Sequence, residues 1–250
     1  MAQNNCSASC GNVSIPYPFG IGSNCFMHKT YEIVCIEIGV AAAAFLPSIG
    51  MEVLEINISD PYRTTYSYSF EPGLIRVKMP IISSNCINKS SDGVDISGTP
   101  YFFSSYRNKF VSVGCGNLVT ITGLDPMAVV GCKTNCSNQK LKDKQGTCSG
   151  FKCCQTTVPY GIQVLNVDFG STHNHSNSCK HAFLAEKQWL NKTDPTFHVS
   201  YSDYVPVVLE WTTPSNFTNS YFKELIRNGR RRIIDWDYTS YGAKIGRAHV

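Results

Sequence analysis

CSASCGNVSIPYPFGIG, at residues 6–22, is the stretch that decides how this chain folds. Two prolines alternate with Tyr17 and Phe19, and each proline fixes its own φ and holds the preceding residue in an extended conformation. Two glycines follow, which permit a sharp change of direction. Because residues 15–20 carry no charge, we predict a stiff segment, tied by cysteines, whose two aromatic rings pack into a core.

The composition is that of a chain rich in β-strands. Of 250 residues, 42% are hydrophobic and only 16% are charged, against roughly 25% charged residues in an average globular domain. The many tyrosines and phenylalanines favour half-buried strands over exposed helices. We therefore predict an all-β, disulfide-rich fold with short antiparallel strands in two small subdomains and little helix.

Alternation of apolar and polar residues predicts where the strands lie. The predicted strands are 31–38, 51–59, 64–70, 74–79, 101–104, 109–113, 118–121, 162–169 and 205–211. Pro206 places the last strand at an edge, or the proline at its start, while residues 181–190 fit a helix or a strand equally well. The predicted organisation is a first domain at 6–115, a second cysteine-containing part at 116–211, and a divergent tail at 212–250 that is disordered or an artefact.

Twelve cysteines indicate a disulfide framework in a secreted protein. They are Cys6, Cys10, Cys25, Cys35, Cys86, Cys115, Cys132, Cys136, Cys148, Cys153, Cys154 and Cys179. No C-x-x-C pair typical of zinc sites occurs among them. The pairing stays open, but bridging neighbours strains the peptide, so Cys153 and Cys154 should bond to different partners.

Glycosylation motifs also indicate a secreted protein. Eight Asn-x-Ser/Thr sequons occur where the composition predicts about three by chance. Asn5 and Asn135 adjoin cysteines, and we expect the other six to carry glycans: Asn12, Asn57, Asn88, Asn174, Asn191 and Asn216. Residues 1–5 contain no signal peptide, so we expect either that a leader was removed or that the reading frame starts upstream.

Candidate catalytic and metal-binding groups are weak. His173 and His175 resemble a metal-ligand pair whose third ligand would have to come from His181 or elsewhere, yet a polar loop carrying a sequon explains them better. Cys148 stands where a nucleophile elbow has its nucleophile, but it lacks the required strand and helix and fits a half-cystine. We predict no catalytic residue, no metal site and no cofactor.

Basic residues are the candidate binding groups. Lys140, Lys142 and Lys144 alternate, so an extended segment would present them on one side. Arg107 and Lys109 form a second small cluster, and the net charge is +4. This charge would attract a polyanion, and the extracellular signals favour an acidic glycan over nucleic acid.

A series of short motifs runs along the chain. The entry motif CGNVSIPYPFG at 10–20 is followed by CF at 25–26 and YEIVC at 31–35. Further motifs are EVLEI at 52–56, NKF at 108–110, VGC at 113–115, CSGFKCCQT at 148–156, and the segments 179–190 and 205–211. Together these motifs resemble the extracellular region of plant wall-associated receptor-like kinases. The alanines at 41–44 depart from the family in the loop after Cys35, and residues after 211 bear no kinase motif.

The resemblance implies a non-enzymatic ectodomain that binds pectin-derived galacturonan in the cell wall or at the outer face of the plasma membrane. Arg107, Lys109, Lys140, Lys142 and Lys144 would supply the cationic contacts. A membrane connection would need a transmembrane segment that the chain lacks. The alternatives are a protein- or peptide-recognition ectodomain and a secreted receptor-like decoy without glycan binding. An enzyme would require a cleft with a free thiol or a bound metal.

Overall fold

The computed structural model of the protein describes residues 6–39, 41–58, 73–86, 93–122, 130–136, 148–171 and 178–211. The strands are β1 (Ser9–Cys10), β2 (Val13–Ser14), β3 (Val34–Ile38), β4 (Ala41–Leu46), β5 (Met51–Asn57), β6 (Gly73–Pro80), β7 (Ile82–Ser84), β8 (Val94–Asp95), β9 (Tyr101–Phe103), β10 (Asn108–Val113), β11 (Asn117–Thr122), β12 (Val130–Lys133), β13 (Cys153–Thr157), β14 (Val164–Ser171), β15 (Lys180–Glu186) and β16 (Tyr204–Trp211). The helices are α1 (Lys187–Leu190) and α2 (Pro195–His198), with a 3₁₀ turn at Lys29–Tyr31.

The predicted all-β, disulfide-rich fold with little helix is confirmed. Every pairing between the named strands is antiparallel. The predicted strand 64–70 and the tail 212–250 lie outside the described residues. Within the described ranges, no helix has the length and apolar character needed to cross a membrane.

A six-stranded sheet in the order β3-β4-β5-β6-β16-β9 forms the larger layer. β16, the last described strand, pairs with β6 along its whole length, whereas β9 pairs only with Leu209–Trp211. Pro206 therefore lies in the part of β16 whose only strand partner among the described elements is β6. On that open side of β16 a proline, which has no N–H, breaks no hydrogen bond to a neighbouring strand. This agrees with the edge position predicted for Pro206.

Aromatic rings from distant parts of the chain meet against this sheet. Phe19, Tyr31, Tyr101 and Trp211 are all buried, with at most 6% exposure. The Phe19 ring stands edge-on to the rings of Tyr31, at 5.3 Å, and Trp211, at 5.2 Å, an arrangement that aromatic pairs prefer. The prediction that the entry segment fills a core is confirmed for Phe19, while Tyr17 is only half-buried.

Gly20 is required by close packing at the end of the entry segment. A Cβ at this position would lie 2.1 Å from the carbonyl oxygen of Cys25, so any side chain would force the backbone apart. The Gly20 N–H donates to the Tyr31 carbonyl, and the Ile33 N–H donates back to the Gly20 carbonyl. These bonds fix Phe19 in place above the sheet.

Two four-stranded sheets complete the fold, in the orders β13-β10-β15-β7 and β12-β11-β14-β8, and β1 and β2 form a separate hairpin. β10 pairs with β15 from Asn108↔Glu186 to Val113↔His181. The sheets combine strands from both predicted ranges, 6–115 and 116–211. The proposed boundary between two folding units remains a prediction.

The alanine run is a strand, not the loop that we expected. Residues 41–46 form β4 between β3 and β5, although alanine has a low intrinsic preference for strands. Ala44 is fully buried, and a Cβ on Gly11 would lie 2.4 Å from the Ala42 carbonyl oxygen. Small side chains thus let the β1–β2 hairpin approach the sheet closely, and this packing overrides propensity.

All twelve cysteines form disulfides. The pairs are Cys6–Cys25, Cys10–Cys35, Cys86–Cys179, Cys115–Cys136, Cys132–Cys154 and Cys148–Cys153. The neighbours Cys153 and Cys154 have different partners, as predicted. Cys148 is a half-cystine, so it has no thiol with which to act as a nucleophile.

Candidate functional site: a cationic surface with exposed tyrosines

A buried asparagine anchors the turn between β9 and β10. The Asn108 side chain is fully buried; its Nδ2 donates to the carbonyls of Ser104, at 2.9 Å, and Val208, at 2.7 Å. Its Oδ1 accepts from the Val208 N–H at 3.0 Å. These bonds hold residues 104–108 rigidly against β16, and the turn presents Tyr106 and Arg107 to solvent.

Strand pairing brings three cations together beside this turn. Lys109 lies opposite Ala185 in the β10–β15 pair, and the Lys187 N–H donates to the Arg107 carbonyl at 2.8 Å. Partial burial, and then the positive charges of Lys109 and Arg107, lower the pKa of Lys187. We call these three side chains the cationic surface.

The nearby carboxylates do not form ion pairs with the cationic surface. Glu186 accepts from Arg76 Nε at 2.7 Å. Glu210 accepts from the Ser104 hydroxyl at 2.6 Å; burial raises the pKa of Glu210, against the opposing effects of that bond and of Arg107. The three ion pairs among the described residues join Lys29 to Glu32, Arg76 to Glu186 and Lys78 to Glu52. The cationic surface therefore keeps its positive potential.

Two tyrosines accompany the cations. Tyr106 is 74% exposed and Tyr160 is 51% exposed. Burial of its phenol, followed by the charges of Glu210 and Tyr106, raises the pKa of Tyr160 to about 12. The charges of Glu210 and Tyr106 both act on Tyr160, so its phenol lies within electrostatic range of the turn that carries Arg107. Neutral rings next to cations suit a ligand that has both acidic groups and flat apolar faces.

The predicted binding residues have separate outcomes. Arg107 and Lys109 do lie together, and Lys187, which the sequence analysis did not identify, completes their cluster. Lys140, Lys142 and Lys144 lie outside the described residues. The sequence shows only that Lys187 is a basic residue in the segment 181–190. Because that segment fits a helix and a strand equally well, its pattern does not indicate that Lys187 lies beside Arg107.

The predicted glycosylation sites also divide into two sets. Asn12, Asn57 and Asn191 are exposed, so each can accept a glycan without disturbing the core. Asn88, Asn174 and Asn216 lie outside the described residues.

Comparison with known proteins now agrees with the sequence motifs. Residues 6–66 match the family model described as wall-associated receptor kinase galacturonan-binding, and residues 145–220 match the model described as wall-associated kinase. The chain belongs to the wall-associated kinase family, as an extracellular region. No solved structure matches it.

Relatives from Arabidopsis thaliana align with most of the chain. Wall-associated receptor kinase-like 1 is 31% identical over 90% of this chain and 32% of its own length. Wall-associated receptor kinase-like 4 is 35% identical over 82% and 28%, and wall-associated receptor kinase-like 10 is 29% identical over 83% and 30%. The chain thus spans about a third of the curated relatives that it matches. Membership of the family implies an extracellular or cell-wall-facing location.

Proposed function

We propose that this ectodomain binds an acidic pectin-type polysaccharide, galacturonan, through the cationic surface, and that it does so without catalysing a reaction. The observation that carries the proposal is the cluster of Arg107, Lys109 and Lys187, none of which belongs to an ion pair among the described residues, beside exposed Tyr106 and Tyr160. Galacturonan offers one carboxylate on every sugar and an apolar ring face between them.

Charge repetition explains how a modest cluster would hold a polymer. Each exposed ion pair contributes little on its own, but a chain of regularly spaced carboxylates re-engages a neighbouring cation at high effective concentration. A carboxylate that binds Lys187 also relieves the repulsion that this lysine experiences from Lys109 and Arg107. Affinity should therefore rise with oligomer length and fall with salt.

The galacturonan-binding family match covers residues 6–66, whereas the cationic surface lies outside that range. Lys29 is the exposed lysine within the described part of 6–66, where it pairs with Glu32 and its ammonium lies 5.9 Å from the Phe26 ring centre. This lysine is the rival anchor for the sugar. A variant that removes it separates the two possibilities.

The decisive experiment titrates the glycosylated ectodomain with oligogalacturonides of increasing length. The triple variant Arg107→Gln, Lys109→Gln, Lys187→Gln should lose at least about tenfold in affinity. The control variant Lys78→Gln, Lys133→Gln, Lys152→Gln removes the same total charge from outside the cationic surface. Its affinity should fall less than about threefold. Fully methyl-esterified oligomers lack the carboxylates and should bind neither the unmodified ectodomain nor the variants.

Salt dependence provides the second test. The screening length falls from about 10 Å at 0.1 M to about 3 Å at 1 M salt, so binding should weaken steeply over that range. The proposal fails if affinity is unchanged by salt, or if both triple variants bind equally well. A loss confined to Lys29→Gln would place the sugar in the 6–66 region, and a loss in Lys140→Gln, Lys142→Gln, Lys144→Gln alone would place it on the other predicted cluster.

A second function, recognition of a protein or peptide, is favoured by a different surface. Phe197, Tyr201 and Tyr204 are 64%, 74% and 53% exposed, and the rings of Phe197 and Tyr201 lie 4.5 Å apart. Exposed aromatic groups of this size often mark protein contacts. Binding of a wall protein that survives high salt and is lost on Phe197→Ser, Tyr201→Ser would support this function over sugar binding.

A further inference from the structure

We propose that the Cys86–Cys179 disulfide covers a latent zinc site, which forms with His181 when a dithiol reduces the bond. His181 Nε2 lies 3.3 Å from Cys179 Sγ and 3.9 Å from Cys86 Sγ. These three residues form the group of potential ligands that the described part of the chain brings within 4.8 Å. The sequence does not reveal the site, because its two cysteines are 93 positions apart and the histidine pattern pairs His181 only with His173 and His175.

The distances fit tetrahedral zinc. Bonds of about 2.3 Å to sulfur and about 2.0–2.1 Å to imidazole nitrogen place each sulfur about 3.6 Å from the nitrogen and the two sulfurs about 3.8 Å apart. The nitrogen already stands near the required distance from both sulfurs. Once the disulfide is broken, only the sulfurs have to separate, and the fourth position is left for water.

The imidazole is held in the orientation that metal binding requires. His181 is buried, at 8% exposure, and its Nδ1 lies 2.9 Å from the hydroxyl of the buried Ser83. When Nδ1–H donates to that hydroxyl, Nε2 presents its lone pair towards the sulfurs. Fixing the outer nitrogen of a histidine in this way is how proteins orient metal ligands.

This disulfide joins the most exposed cysteine of the described residues to a half-buried one. All twelve cysteines belong to the described residues, and Cys179 is the one that is exposed, while Cys86 is half-buried. By contrast, Cys148 and Cys153 are both buried. An external thiolate should therefore attack Cys179 before it reaches the sulfurs of other pairs.

The reaction balances with a dithiol as reductant. One thiolate of the reagent attacks Cys179 Sγ and expels Cys86; its second thiol then attacks the mixed disulfide and releases Cys179. The reagent leaves as a cyclic disulfide, having given up two electrons, and the protein holds two thiols. Zinc binding replaces the two thiol protons, which pass to solvent.

The test uses limited reduction of the folded ectodomain with dithiothreitol, removal of the reagent under argon, and titration with Co²⁺ as a spectroscopic probe, followed by displacement with Zn²⁺. Alkylation and peptide mass spectrometry should identify Cys86 and Cys179 as the first pair to open. One equivalent of Co²⁺ should then bind with thiolate-to-metal charge-transfer absorption, and Zn²⁺ should abolish it.

Variants separate a built site from accidental thiol binding. His181→Gln should weaken Co²⁺ binding at least about tenfold, and Ser83→Ala, which leaves all ligands in place, should weaken it about tenfold through the lost orientation. The control Cys115→Ser, Cys136→Ser removes another disulfide and should keep full binding. The proposal is overturned if a different disulfide opens first, if the reduced protein binds no Co²⁺, or if both site variants bind like the unmodified protein.

Discussion

The aromatic centre of the six-stranded sheet and the segment between Cys115 and Cys154 are stabilised by different means. In the first, four buried rings, including Phe19 and Trp211, pack edge to face. In the second, three of the six disulfides lie within about forty residues. The first region also has two disulfides nearby, Cys6–Cys25 and Cys10–Cys35. The contrast is therefore one of degree: side-chain packing dominates where a broad sheet supplies a core, and covalent links are densest where the strands are short.

Truncation at the aromatic centre should have the largest effect. Phe19→Ala removes a fully packed ring and should lower the free energy of unfolding by about 3–5 kcal/mol. Tyr106→Ala, at a 74% exposed position, should change it by less than about 0.5 kcal/mol. Denaturant unfolding of both variants with disulfides intact measures the difference, and similar values would contradict a core centred on Phe19.

Within the crosslinked segment, loop length should rank the disulfides. Cys132 and Cys154 are 22 residues apart, whereas Cys148 and Cys153 are 5 apart. Loop-closure entropy predicts a loss of about 3 kcal/mol for Cys132→Ser, Cys154→Ser and about 2 kcal/mol for Cys148→Ser, Cys153→Ser. If guanidinium unfolding gives equal losses of stability for the two variants, the unfolded segment keeps residual structure and loop length does not rank the disulfides. The two regions would then differ less than proposed.

A buried polar anchor should have an intermediate effect. Asn108→Ala leaves two carbonyls and one N–H without the bonds that the side chain now makes, and should cost about 2 kcal/mol. Asn166→Ala, which alters an exposed asparagine outside any sequon, is the matched control. Because Asn108 positions the turn that carries Arg107, oligogalacturonide affinity should fall in the first variant and stay constant in the second.

The smallest effect should be a pH dependence at the edge of the cationic surface. Burial raises the pKa of Glu210 above its ordinary value of 4.5, so the folded state holds this proton more tightly than the unfolded state. Its contribution to stability is complete below pH 4.5 and is lost as the pH rises through the raised pKa. Glu210→Gln should remove that decline in unfolding curves measured across the acidic range; an unchanged decline would assign it to other groups.

The sequence predicted what depends on local chemistry. Two prolines and an uncharged aromatic pair were enough to place Phe19 in a core, and alternation located eight of the sixteen described strands to within three residues. It could not predict the disulfide partners or the third cation, because Lys187 joins Arg107 only through the pairing of β10 with β15, strands that begin 72 residues apart. The alanine strand β4 was missed for a related reason, since tight contact with Gly11 decides it.

The placement of β16 has a consequence for biosynthesis. Val77 in β6 pairs with Val207 in β16, so a ribosome must add 130 residues after the first before the second exists, which takes on the order of ten seconds at ordinary elongation rates. Throughout that interval, one edge of β6 has no native neighbour and the pocket around Phe19 lacks Trp211. The nascent chain therefore passes through a period in which an unpaired strand edge is open to incorrect pairing.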